Sequence, residues 1–226
     1  IRSSFGGVLL PYEVADPSDA LRLADERLYG QKRSKQGIRT MNALVEALSE
    51  HKPDVRPRAH RVEALTVVIG RLLGISDDEL EALARAAELH DLGTLAIPGE
   101  ILGKPGPLDE REWGFVRRHT VIGERILRAS PQLWGVAAIV RATHENWDGT
   151  GYPDGLAGEA IPLAARIIGA CQAFDAMTSP RPYRGARTSQ EALDELESCA
   201  GTNFDPAVVR VLSALVRARV EADRAA

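Results

Sequence analysis

The segment Glu88-Leu89-His90-Asp91-Leu92-Gly93 sets a histidine beside an aspartate where an apolar run of Leu80, Leu83, Ala84 and Ala87 comes to its end. Residues at that spacing share one face of a helix with 3.6 residues per turn, so the His-Asp pair is expected at a helix C-terminus. Ser76 and Glu79 open the same helix with the spacing of a capping box. His119 is expected to end the next long helix, and His144 the one after. Taken singly, each histidine reads as a capping or solvated residue. Together they read differently, because imidazole and carboxylate groups delivered by successive helix ends are how helical folds assemble metal sites, and a carboxylate can bridge two ions.

The flanking sequence is helical in almost every segment. Residues 57–73 carry Val62, Leu65, Ile69, Leu72 and Leu73 at helical spacing and close on Gly74. Thr40 starts a short helix through Leu44, Val45 and Leu48, and Ser18 starts another with Leu21, Ala24 and Leu28 on one face, ending at Gly30. Asp109 with Glu112 and Thr188 with Glu191 repeat the capping signal, and Asp205-Pro206 opens the last helix with proline in its first turn. Only residues 4–10, SFGGVLL, read as a strand. The expected class is all-α, with a small foreign piece at the front.

Composition bounds the function. A chain of 226 residues, 44% of them hydrophobic, can bury one good core. The net charge of −4 lacks the basic excess expected of a nucleic-acid binder. Cys171 and Cys199, both in helical patterns, imply no disulfide framework. No apolar run approaches the roughly 20 residues of a membrane span, and no signal peptide opens the chain, so no membrane contact is expected. Beginning at Ile1, the chain is expected to be a piece of a longer cytoplasmic protein.

The second chemical signal is HENWDGTGYPDG, residues 144–155. Its glycines at 149, 151 and 155 permit positive φ or close backbone approach, and Pro153 stiffens the turn. Such a loop either braces helix ends or borders a binding cleft, and the residues alone leave both open.

Residues 76–212 resemble the HD-GYP domain, the branch of the HD superfamily whose members hydrolyse cyclic di-GMP. The motifs that carry the resemblance are ELHDLG, IPGEILGKPGPLDEREW, HENWDGTGYPDGLAGEAIPLAARI, FDAMTSPRPYR and GTNFDP. The resemblance implies an HD-type helical bundle over residues 38–226. It also implies a site in which paired metal ions activate water and neutralise phosphoryl oxygens. His90, Asp91, His119 and His144 match ligand positions of the family, with Asp91 the position central to catalysis. Arg58, Thr143 and Gln172 stand where the family has ligands, and Thr94 stands where it has a phosphate-meeting lysine. Arginine cannot ligate a metal and glutamine offers only a neutral carbonyl oxygen. The expectation is therefore at most one weakly held Fe, Mn or Zn ion on Asp91, His119 and His144, or none. His60 would point away from the site. Arg58 is expected to neutralise Asp91 in place of an ion. Tyr152, Arg181 and Arg184 match ligand-facing positions, and Gly151-Tyr152-Pro153 matches a loop implicated in docking GGDEF partners.

At the front, SFGGVLLP and DALRLADERLYGQKRSKQG resemble the last strand and last helix of a GGDEF (diguanylate cyclase) domain, over residues 1–37. The implied whole is a degenerate HD-GYP domain of a bacterial cyclic di-GMP signalling protein that acts by binding. Its implied partners are cyclic di-GMP, a GGDEF domain, or a second copy in a homodimer. The alternatives are a phosphodiesterase on a reduced metal site and a purely structural dimerisation module.

Overall fold

The computed structural model describes residues 8, 13, 16, 19–25, 27, 39–40, 42–47, 50, 55–180 and 185–225. From residue 55 onward it is a bundle of helices: α1 (Val55–Leu72), α2 (Asp77–Leu89), a 3-10 turn (Leu92–Ala96), α3 (Gly99–Leu102), α4 (Glu110–Arg117), α5 (His119–Arg128), α6 (Trp134–Arg141), α7 (Leu163–Thr178), α8 (Ser189–Ser198) and α9 (Pro206–Ala225). The described residues contain no strand; the pairs Asp148–Ala157 and Ala200–Phe204 are isolated bridges. The all-α expectation holds.

The caps explain where the helices begin. Glu79 accepts from Ser76 N at 3.2 Å, and Glu112 accepts from Asp109 N at 2.8 Å while Asp109 accepts from Glu112 N at 2.8 Å. Thr188 and Glu191 pair in the same way. Asp205 Oδ1 accepts from Ala207 N at 2.8 Å and so caps α9, whose first residue is Pro206. α1 packs on α2 and α7, α2 on α6, and α7 on α8. Ile69, Leu83, Leu89, Leu92, Leu127, Ile167, Ile168, Leu196 and Leu212 are fully buried where these faces meet. Val45, on the short helical stretch over 42–47, joins the same core.

One crossing positions the site. A Cβ at Gly93 would lie 1.8 Å from the His119 carbonyl oxygen and 2.7 Å from Gly123 N. The 3-10 turn after the His-Asp pair therefore touches the first turns of α5 backbone to backbone, which only glycine allows.

Two expectations need correction. His119 does not end a helix but begins α5. The helix breaks at Arg118, whose N–H bonds to Phe115 O at 3.1 Å in the tighter 3-10 pattern, with no glycine or proline to signal it. Leu21, read on the covered face of the front helix, is 71% exposed, and Ala20 is buried instead. Residues 19–25 are helical as expected, and Val8 has no regular structure. The rest of the proposed strand over 4–10, Leu28, Gly30 and the boundary at 37 lie outside the described residues, as do Arg181 and Arg184.

Candidate active site

The His-Asp pair sits where α2 stops. His90 is the C-cap and is buried, and its Nδ1 bonds to Ala87 O at 2.6 Å. That bond turns Nε2 inward to 3.2 Å from Asp91 Oδ2, an ion-pair distance reached without hydrogen-bond geometry. His119 is anchored alike, its Nδ1 2.7 Å from Val116 O. An imidazole held at Nδ1 by a backbone carbonyl is oriented to offer Nε2 to whatever occupies the site. His144 follows α6 in the turn rather than ending the helix itself. Its ring meets His119 edge-on at 4.8 Å and stacks on Tyr152 at 5.1 Å.

Charge is concentrated here. Burial alone would raise the Asp91 carboxyl, but the charge and hydrogen-bonding capacity of His90, then Arg58 and His119, hold it far below the usual carboxylate range. For His90, burial works against the proton, and the neighbouring Asp91 carboxylate overcomes it and pushes the imidazole up. Burial pushes His144 down to about 3, helped by His119, and pushes the Tyr152 phenol up to about 12.

These groups open onto a cavity of about 430 Å³ lined by Arg58, Asp91, Arg117, Thr143, His144, Tyr152 and Gln172, among others. Arg58, Thr143 and Gln172 are thus together with Asp91 and His144, as their places in the sequence implied. His60 is not: it is exposed and pairs with Glu63 at 3.3 Å. Thr143 is buried and donates to Val140 O at 2.9 Å, and Thr94 donates to Asp91 O at 2.6 Å. The expected Arg58–Asp91 pair is absent. The Arg58 Nε lies 3.7 Å from Asp175 Oδ2 instead, and its charge reaches Asp91 only at longer range.

The loop at 144–155 is tied to itself and to α6. Glu145 is buried and its carboxylate accepts from Asp154 N at 2.7 Å and Leu156 N at 3.0 Å. Tyr152 N bonds to His144 O at 3.0 Å, and the Tyr152–Pro153 bond is cis. Arg141 clamps Asp154 and Glu124, each at 2.6 Å. Gly149 and Gly155 have φ of 84° and 67°, whereas Gly151 is needed for space: its Cβ would lie 2.2 Å from Asn146 N.

Sequence reasoning missed Asp175, Arg61 and Arg117. Arg61 grips Asp175 with two bonds of 2.6 and 3.2 Å, and Arg117 lies over the Tyr152 ring at 5.9 Å. Asp175 stands one turn after Gln172 on α7, and that i, i+3 relation was the one available signal.

The donor set tests the fit of a metal. Arg58 brings a permanent positive charge to the cavity where an imidazole ligand is called for, and Gln172 brings no charge. Among the described residues, no group of three or more His, Cys, Asp and Glu side chains is placed to hold an ion. As arranged, these side chains do not fit a pair of divalent metal ions.

Comparison with known proteins extends the picture. The family model described as HD domain matches residues 42–208. The cyclic di-GMP phosphodiesterase response regulator RpfG of Xanthomonas campestris is 38% identical over 187 residues, covering 82% of this chain and 49% of that protein. The 3'3'-cGAMP-specific phosphodiesterase 3 of Vibrio cholerae is 40% identical over 169 residues, covering 75% of this chain and 36% of that one. The chain thus spans half or less of the length of these curated relatives. An HDG"Y"P protein of Bdellovibrio bacteriovorus has the same fold, with a TM-score of 0.60 at 20% identity over 72% of this chain and 52% of that one. No helix among the described residues is long and apolar enough to cross a membrane.

Proposed function

The chain belongs to the HD domain family, and from that membership we propose that it is a degenerate HD-GYP module that binds a cyclic dinucleotide without hydrolysing it. The observation that carries this reading is Arg58, a permanent cation lining the cavity of Asp91 and Gln172 where the resemblance calls for an imidazole ligand. Relatives named for cyclic di-GMP and for 3'3'-cGAMP hydrolysis support this ligand class. The setting is a cytoplasmic bacterial signalling protein, with residues 1–37 the tail of a GGDEF domain and residues 38–226 the HD-GYP domain. In this reading Tyr152, Arg181 and Arg184 face the ligand.

Paired ions stabilise the attacking and leaving oxygens in two-metal hydrolysis, and this donor set lacks the means to hold them. Hydrolysis of cyclic di-GMP is expected at background with added manganese or iron, while titration shows binding. Steady turnover abolished by His90→Ala would overturn the reading. A second reading, a reduced site with one ion on Asp91, His119 and His144, is favoured by the anchored Nδ1 atoms of His90 and His119. Elemental analysis separates the two. The Gly151-Tyr152-Pro153 loop and residues 1–37 suggest a GGDEF domain or a second copy as partner. Removing residues 1–37 should then shift the protein from dimer to monomer in light scattering or lower its melting temperature, and no change in either would remove the homodimer.

A further inference from the structure

Arg58 is underused for a half-buried guanidinium that lines a cavity. Its side chain is 33% exposed, and its Nε is buried without a hydrogen bond. Its one ion pair among the described residues, at 3.7 Å, is to Asp175, a carboxylate that Arg61 already holds with bonds of 2.6 and 3.2 Å. The Nε–H is one of five donors on the guanidinium, and leaving a buried donor unmatched is costly. The rest of the cavity makes the imbalance clearer. The Glu145 carboxylate is taken by two loop amides, Asp205 by Arg166 at 2.5 Å, and Asp91 lies against His90 at 3.2 Å. Of the other two arginines lining the cavity, Arg166 is the one that holds Asp205, while Arg117 lies over the Tyr152 ring at 5.9 Å. The cavity therefore offers two arginines that make no direct ion pair with the carboxylates lining it.

We propose that Arg58, with Arg117, holds a phosphodiester group of the bound cyclic dinucleotide directly, as protein cations in the place of metal ions, so that binding is metal-independent. This rests on the non-hydrolytic binding reading above and adds the group that makes the contact. A guanidinium suits the task, because its planar fork matches two phosphoryl oxygens and its charge does not depend on pH.

The test is calorimetric titration in EDTA of the full chain and of Arg58→Met and Arg58→Lys, with cyclic di-GMP and separately with inorganic pyrophosphate. Arg58→Met keeps the apolar stem and leaves the Arg61–Asp175 pair intact, so an unchanged melting temperature shows that folding survives. The expected result is binding by the parent in EDTA, weakened about 10- to 100-fold in Arg58→Met, the scale of a lost charge-assisted bond. Arg58→Lys, which keeps charge but not the fork, should fall between. Equal affinity of parent and Arg58→Met overturns the role of Arg58 while leaving dinucleotide binding standing. Binding that appears only after a divalent metal is added overturns it too. Pyrophosphate binding that depends on Arg58, without dinucleotide binding, upholds the cation site and removes the dinucleotide reading. No binding of either probe removes both.

Discussion

Gly93→Ala places one methyl group at the closest backbone approach found at any described glycine. The added Cβ would meet the His119 carbonyl oxygen at 1.8 Å and the His119 carbonyl carbon and Gly123 N at 2.7 Å. All three are backbone atoms, so no side chain can swing aside. Gly93 has no positive φ, so the cost is contact alone. Overpacking a core against movable side chains costs about 1–3 kcal/mol, and a collision with two helical turns belongs at or above the top of that range. For a domain of this size each kcal/mol moves the melting temperature by about 2–4 °C, so a fall of roughly 6–12 °C is expected. Gly114→Ala is the control. Gly114 lies inside α4 with nothing within 4 Å of the added Cβ. There alanine should gain about 0.5–1 kcal/mol from reduced chain entropy. Thermal unfolding followed by circular dichroism reads both variants. The crossing argument is refuted if Gly93→Ala melts within 2 °C of its parent, on the order of the shift expected for less than 1 kcal/mol, or shifts in the same direction as Gly114→Ala.

His144 has a folded pKa pushed down to about 3 from 6.5, so below pH 6.5 the unfolded chain takes up a proton that the folded chain refuses. Stability should therefore fall as the pH drops from 6.5 towards 3, by up to about 1.4 kcal/mol per unit, and His144→Gln should flatten that limb in urea titrations. The contribution of Asp91, whose folded pKa is also lowered, is lost only below its ordinary 3.8 and leaves the upper part of this window clear. Arg141→Met frees Asp154 and removes one of two cations from the buried Glu124. It should cost about 1–2 kcal/mol and speed hydrogen exchange at the Asp154 amide, and unchanged exchange there would count against the clamp. Arg58→His with Thr143→His and Gln172→Asp should raise bound metal towards two ions per chain by elemental analysis, with each single change doing much less, because ligands of one cluster act together. A folded triple variant with no added metal would show that these positions are misassigned.

The helix starts were readable from the sequence because capping is local. Ser76 with Glu79, Asp109 with Glu112, and Thr188 with Glu191 meet across three residues whatever the rest of the chain does. The end of α2 at the His-Asp pair, and the glycines that shape the 144–155 loop, were legible for the same short-range reason. The partner of Arg58 was not. Asp175 lies more than a hundred positions along the chain, and it becomes the nearest carboxylate only once α1 packs against α7. The break at Arg118 gave no sign either, since its sequence suits a continuous helix and the local turn tightens without glycine or proline. Gly93 stood in plain view beside Asp91, yet its necessity arises from α5 passing at backbone distance. Short-range hydrogen bonds and periodicity determine the elements. Which charges meet, and how closely two backbones approach, follows from helix faces whose mutual fit is a property of the whole packed core.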